Sequence, residues 1–301
     1  MKNFIRAAAF ATAAIIFANA HAAPIGIASG APTGTNHPMG EDIAKTCSTK
    51  QSPITNVQTE GFLDNVFKIY SDKNVQYGMV TVDALAYQQG IDPKMMDRIV
   101  MVFPFFSADM HLVVREDSPY QTLTQLQGKR VVEGPEGSGT WVSAQVIKQI
   151  TGMNWQPMIA SQKAGLDAVL SGKADAEWIV AGYPVDMLSK LPKGVRLISV
   201  AHPKLDSFNF YTKTMISSGS YPFQKKSVST YKVDSVLATY AYKNQYQKEI
   251  GDLVSCITHN LGDLQRNGHP KWKDVDPLDI ERIKWQAHPA AVSAIKREMK
   301  R

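Results

Sequence analysis

Two glycine- and hydroxyl-rich turns, Ala28-Ser-Gly-Ala-Pro-Thr-Gly-Thr-Asn36 and Gly134-Pro-Glu-Gly-Ser-Gly-Thr140, each follow a short apolar run and open a helical pattern. Such a turn leaves several backbone N–H groups pointing into one space, toward which the positive end of the helix dipole also points. Around them, from Ile25 onward, short apolar runs alternate with amphipathic stretches. That alternation is the pattern of a mostly parallel sheet covered by helices, so the chain is α/β.

The strands expected are 25–28, 54–58, 77–80 and 99–105, then 111–115, 130–133, 157–160, 174–180 and 196–200, and finally 231–233 and 236–240. Helices fall between them. Ile43 and Cys47 share one face of the first, and Phe62, Val66 and Ile69 recur at helical spacing in the second. Near the end Ile250, Leu253, Val254, Ile257, Leu261 and Leu264 line one face of a long helix that Asn267-Gly268 closes. A mature chain of roughly 280 residues exceeds what one core usually organises, which favours two lobes. Residues 23–110 with 203–301 are expected to build lobe 1, and 111–202 an inserted lobe 2.

Lys2 and Arg6 precede an apolar stretch from Ala7 to Ala18, and Ala20-His21-Ala22 fits the small-x-small cleavage rule, so residues 1–22 read as a signal peptide. The periplasm is the expected compartment. Formal charge is +6, and removing Lys2 and Arg6 with the leader leaves +4, a mild excess that suits an anionic ligand. Lys and Arg are scattered, which argues against nucleic acid. Cys47 and Cys256 either form one disulfide, as an oxidising compartment permits, or lie as buried thiols in separate helices. A bridge would bring the first and last segments together. No His, Cys or acidic pair shows metal-ligand spacing, and no cofactor is expected.

The Walker pattern needs Gly-Lys followed by Ser or Thr, and the 134–140 turn has no Lys. Gly-x-Ser-x-Gly is absent from any convincing context, so Ser138 reads as a hydrogen-bond donor before a nucleophile; a periplasmic hydrolase using Ser138 or Asp83 is the rival from another class. The expected contacts of a bound anion are Ser29, Gly30, Thr33, Gly34, Thr35, Asn36 and His37 on the first turn, and Ser138, Gly139 and Thr140 on the second. Thr59, Glu60, Thr81 and Asp83 join them because ligands of open parallel sheets bind at the carboxyl ends of strands. Asp83 has an equal alternative as a helix N-cap. Among the aromatic residues near strand ends and lobe crossings, Phe208, Phe210 and Tyr211 included, Trp178 and Tyr183 are the ones expected to stack on the ligand.

The order of motifs resembles one family. Gly30 to Thr35 with Pro38-Met-Gly40, Thr59-Glu-Gly61 with Asn65, and Tyr77-Gly-Met-Val80 to Asp83 come first. Leu126-Gln-Gly-Lys-Arg-Val131 with Gly137-Ser-Gly-Thr140, and then Ala287-His-Pro-Ala-Ala291, follow. Together they are similar to the TAXI solute receptors of TRAP-type tripartite transporters. The resemblance implies a two-lobed type II periplasmic binding protein fold, no enzyme activity, a small organic anion such as a carboxylate held between lobes by one monomeric chain, and delivery to the membrane permease subunits of a TRAP transporter. An ABC-importer receptor of the same fold is the nearest alternative. The chain departs from the family at Asn36-His37, where two aromatics are common, and at Thr59-Glu-Gly-Phe62.

Overall fold

The computed structural model describes residues 24–241 and 246–301. The signal-peptide reading of residues 1–22 lies outside them. Among the described residues no helix is long and apolar enough to cross a membrane.

Ten strands form one sheet: β1 (Ile25–Gly30), β2 (Ile54–Gln58), β3 (Tyr77–Thr81), β4 (Ile99–Arg115), β5 (Arg130–Val132), β6 (Gln156–Met158), β7 (Ala176–Gly182), β8 (Val195–Leu197), β9 (Tyr211–Ile216) and β10 (Val228–Tyr240). Their order is β2-β1-β3-β10-β4-β7-β5-β6, with β8 beside β4 and β9 beside β10. Two parallel triplets stand at the ends, β2-β1-β3 and β7-β5-β6. The long antiparallel pair β4 and β10 joins them. All six residues of β1 are buried, as a parallel strand covered on both faces requires.

Each parallel strand hands over to a helix. α1 (Asn36–Cys47) follows β1, α2 (Phe62–Ser71) follows β2, α3 (Val82–Ile91) follows β3, and α5 (Gly139–Thr151) follows β5; the short α4 (Pro93–Met96) precedes β4. α5 starts where the Ser138 hydroxyl accepts the Trp141 N–H and stops at Gly152, whose φ of 75° is left-handed. α6 (Gln162–Leu170) and α7 (Asp186–Ser189) flank β7. α8 (Gln247–His259), α9 (Leu261–Asn267) and α10 (Pro289–Glu298) close the chain. The single long helix expected after residue 250 is thus two, broken at Asn260, whose side chain turns back to the Cys256 carbonyl at 2.9 Å.

A large core follows one face of the sheet through both triplets, from Ile27, Met79 and Phe103 to Leu112, Val142 and Trp178. A smaller core with Val113, Val132, Ile179 and Leu188 occupies the other face of the second triplet. Cys47 and Cys256 are bonded, with Cα atoms 5.8 Å apart, so the end of α1 is tied to α8 across 209 residues of sequence. The C-terminal segment returns to the first triplet as well: Trp272 Nε1 donates to Asp42 at 2.8 Å, and Met101 N–H to the Gln286 carbonyl.

Candidate functional site

The turns after β1, β2, β3 and β5 all lie at carboxyl ends of parallel strands. The turn after β2 and the turn after β5 touch. Leu63 N–H donates to the Gly137 carbonyl at 3.2 Å. Gly61 has φ +144°, and a Cβ there would stand 2.8 Å from Ser138 Cα, so only glycine lets the two backbones meet. The Phe62 ring lies over Gly139, and Tyr87 meets Trp141 edge to face.

Deeper between the triplets sits Asp83, fully buried. Its Oδ2 accepts from Ser143 of α5 at 2.5 Å and from the Tyr211 hydroxyl of β9 at 3.0 Å. Three distant segments therefore converge on one carboxyl group. Asp83 is the second residue of α3 and not its cap, which settles its position against the N-cap alternative. Burial pushes its pKa up, against the lowering effect of Ser143, Thr81, Tyr211 and the Ala84 N–H. The Tyr211 hydroxyl, buried beside it, is raised well above the usual tyrosine value for the same reason, with the Asp83 charge second. Ser143 and Tyr211 both address Oδ2.

Oδ1 of Asp83 has no hydrogen-bond partner, nor do Oγ1 of Thr81 and Oγ of Ser235, all three buried. Thr81 lies close enough to Asp83 to lower its pKa. It caps α3 by position, yet its side chain makes no cap bond. Thr81 and Ser235 face each other across β3 and β10. Buried polar atoms normally find partners, so three such atoms at one strand end set this place apart.

The first turn is differently occupied than its composition suggests. Gly30 N–H donates to Thr59 Oγ1 at 2.9 Å, and Gly34 N–H to the Ala31 carbonyl, so neither amide is available to an anion. Ser29 Oγ is paired with His37 Nδ1 at 3.0 Å. Thr59 in turn donates to Asn65 Oδ1, and Asn65 Nδ2 to the Met79 carbonyl, which pins α2 to β3. Thr33, Gly34 and Glu60 are exposed, Thr35 is partly so, and Asn36 is buried with Oδ1 unpartnered.

On the second turn Ser138 spends its hydroxyl as the α5 cap. Thr140 is buried and bonds its Oγ1 to Val180 N–H at 3.1 Å, fastening α5 to β7. Trp178 does not line a cleft: it is fully buried and stacks on Trp155, because its strand parity points it into the core under α5. Tyr183 stacks on His111 and bonds Ser220 at 2.5 Å, on the opposite face of the crossing strands from Asp83. Tyr211 is the aromatic that reaches the buried site. Ser143 and Ser235 carried no motif and are brought there only by long-range pairing.

A model of the NMT1-like family matches residues 27–296. The chain belongs to the NMT1-like family. Solved structures agree on the fold. A protein described as a periplasmic transporter superposes with TM-score 0.56 at 14% identity, covering 93% of this chain and 98% of its own. A Xanthomonas citri protein bound to chloride ion gives 0.55 at 11% identity, over 92% of this chain and 98% of its own. A Streptococcus mutans structure concerned with glutathione import through a cystine ABC importer gives 0.51 at 14%, over 86% and 99%. This NMT1-like chain accordingly has the α/β fold of such binding proteins, as its motifs led us to expect.

Proposed function

We propose that this NMT1-like protein is an exported solute receptor whose two lobes, residues 23–110 with 203–301 and residues 111–202, close over a small organic anion. The observation that carries the reading is the buried cluster of Asp83, Thr81 and Ser235 with unpartnered atoms, where Ser143 arrives from residues 111–202 and Tyr211 from β9. Burial raises the Asp83 pKa, which lowers the cost of placing an anionic guest beside its Oδ1. Thr81 and Ser235 hydroxyls and the N-terminus of α3 complete the cradle. The Tyr211 ring covers the carbon skeleton.

Export is supported by the leader pattern at residues 1–22 and by the Cys47–Cys256 bond. For the membrane partner, an ABC-type importer is the better-supported reading, because neighbours at TM-scores of 0.50 and 0.51 are described as proteins of ABC transporters. A TRAP-type permease is the second reading, favoured by the ordered motifs from Gly30 to Ala291. Photocrosslinking in the native cell, followed by identification of the captured permease subunit, separates the two.

Native mass spectrometry of freshly purified protein identifies the co-purifying solute, and calorimetry then measures its return to stripped protein. Thr81→Ala weakens binding roughly tenfold, the worth of one hydrogen bond to a charged group. Asp83→Asn, which is isosteric, binds nearly as well as the parent, whereas Asp83→Ala does not. Equal affinity in Thr81→Ala and Asp83→Ala, with both variants folded, would remove the cluster from the site.

A further inference from the structure

The crossing strands have a second face. Behind β4 and β10, opposite Asp83, lies a cavity of about 550 Å³. Its floor is Ser107 and Asp109 of β4 with Lys232 of β10. One wall comes from Tyr183 and from Thr212 and Thr214 of β9, the other from the C-terminal segment with Lys271, Asp274, Asp279 and Arg282.

Most charges of this cavity meet in contact pairs. Lys271 is paired with Asp274, and Arg282 is held by both Asp234 and Asp279. That leaves Asp109 and Lys232. They are direct cross-strand partners and share a face of the sheet, and their opposite charges attract, but among the described residues neither side chain makes a contact ion pair or a hydrogen bond. Asp109 is largely removed from water, and an ionised carboxyl there without a partner is costly. An acid and an ammonium side by side, near enough to attract yet not in contact, in a cavity with hydroxyls on its floor and on one wall, leave a place between them for a ligand carrying both opposite charges on neighbouring atoms.

We propose that this cavity is a second ligand site, distinct from the one at Asp83, and that it takes a small zwitterion of the α-amino acid type. The ligand ammonium faces Asp109, its carboxylate faces Lys232, and the hydroxyls of Ser107, Thr212 and Thr214 bond what remains. A monovalent cation would leave Lys232 unanswered, and a simple anion would leave Asp109 so.

The test uses the mature, disulfide-bonded chain and L-alanine at millimolar concentration, with propionate and propylammonium as single-charge controls, read by calorimetry. L-alanine binding includes a component that the two cavity variants remove; propionate, which is of the class proposed for the Asp83 site, and propylammonium lack that component. Asp109→Asn and Lys232→Met each weaken L-alanine roughly tenfold or more, the loss of one charge-assisted contact, while Thr81→Ala at the other site leaves it unchanged. Asp109→Asn is isosteric and removes a charge that burial already disfavours, and circular dichroism checks its folding; Lys232→Met is the independent second variant. Absence of L-alanine binding to the folded parent, an equal loss of a control's binding in the cavity variants, or loss in Thr81→Ala with retention in both cavity variants overturns the proposal.

Discussion

Glu177 is fully buried in β7, with neither carboxyl oxygen bonded, beneath Gly165 of α6 whose added Cβ would stand 2.4 Å from Oε1. Burial, with the Asp167 charge second, pushes its pKa up to about 9. In the unfolded chain it ionises near the ordinary value, so between that value and about 9 the folded state holds a proton that the unfolded state has lost. Stability from this group is therefore full at low pH and falls as pH rises toward 9. Glu177→Gln should raise the melting temperature at pH 8 and change it little at pH 4.5; equal shifts at both would show that the carboxyl is not protonated in the fold. His111 acts at the other end. Burial lowers its pKa to about 4, while its ring bonds Tyr221 at 2.8 Å, so stability is lost as pH falls from 6.5 through 4.

At the scale of elements, the parallel strands were legible because short buried runs ended in glycine-hydroxyl turns, and 54–58 is the observed strand residue for residue. β4 and β10 read as two strands each because Ser107-Ala-Asp109 and Asp234-Ser235 interrupt their apolar runs where they cross between triplets. β9 was missed: Tyr-Thr-Lys-Thr-Met-Ile buries only its ends and carries the polar residues of an exposed face. Site residues divide the same way. Thr81 and Asp83 follow from strand-end position, whereas Tyr211 lies 128 residues from Asp83 in sequence and Trp178 was assigned without its strand parity. The α1–α8 pairing was legible through its cysteines alone. Its bond closes a very long loop, worth about 4–5 kcal/mol in the chain-entropy model. Cys47→Ser with Cys256→Ser is expected to lower the melting temperature by roughly 10 °C. A pair of serines that leaves it unchanged would mean that α8 holds its place by packing against α10.

For the whole molecule, the two parallel triplets are joined by β4 and β10, whose pairing shifts register near Asp234–Val236 and Leu237–Ala238. Such irregularities localise bending in a sheet. On the proposed two-lobed reading, rotation about these strands would separate the turns at Gly61 and Ser138. The arrangement seen is the one with the front in contact, held by Leu63–Gly137, Asp83–Ser143 and Asp83–Tyr211. Gly61 is the point where the contact is backbone on backbone, so a methyl group there both clashes with Ser138 and strains a φ that L-residues avoid. Its surroundings on the α2 side are otherwise intact, with Asn65 still pinning the helix to β3. Gly61→Ala should thus shift the population toward separated lobes with each lobe folded. Small-angle scattering would report a larger radius of gyration than the parent, while far-ultraviolet dichroism stays the same. An unchanged radius would mean that the junction is rigid and that entry of a solute does not proceed by rotation about β4 and β10.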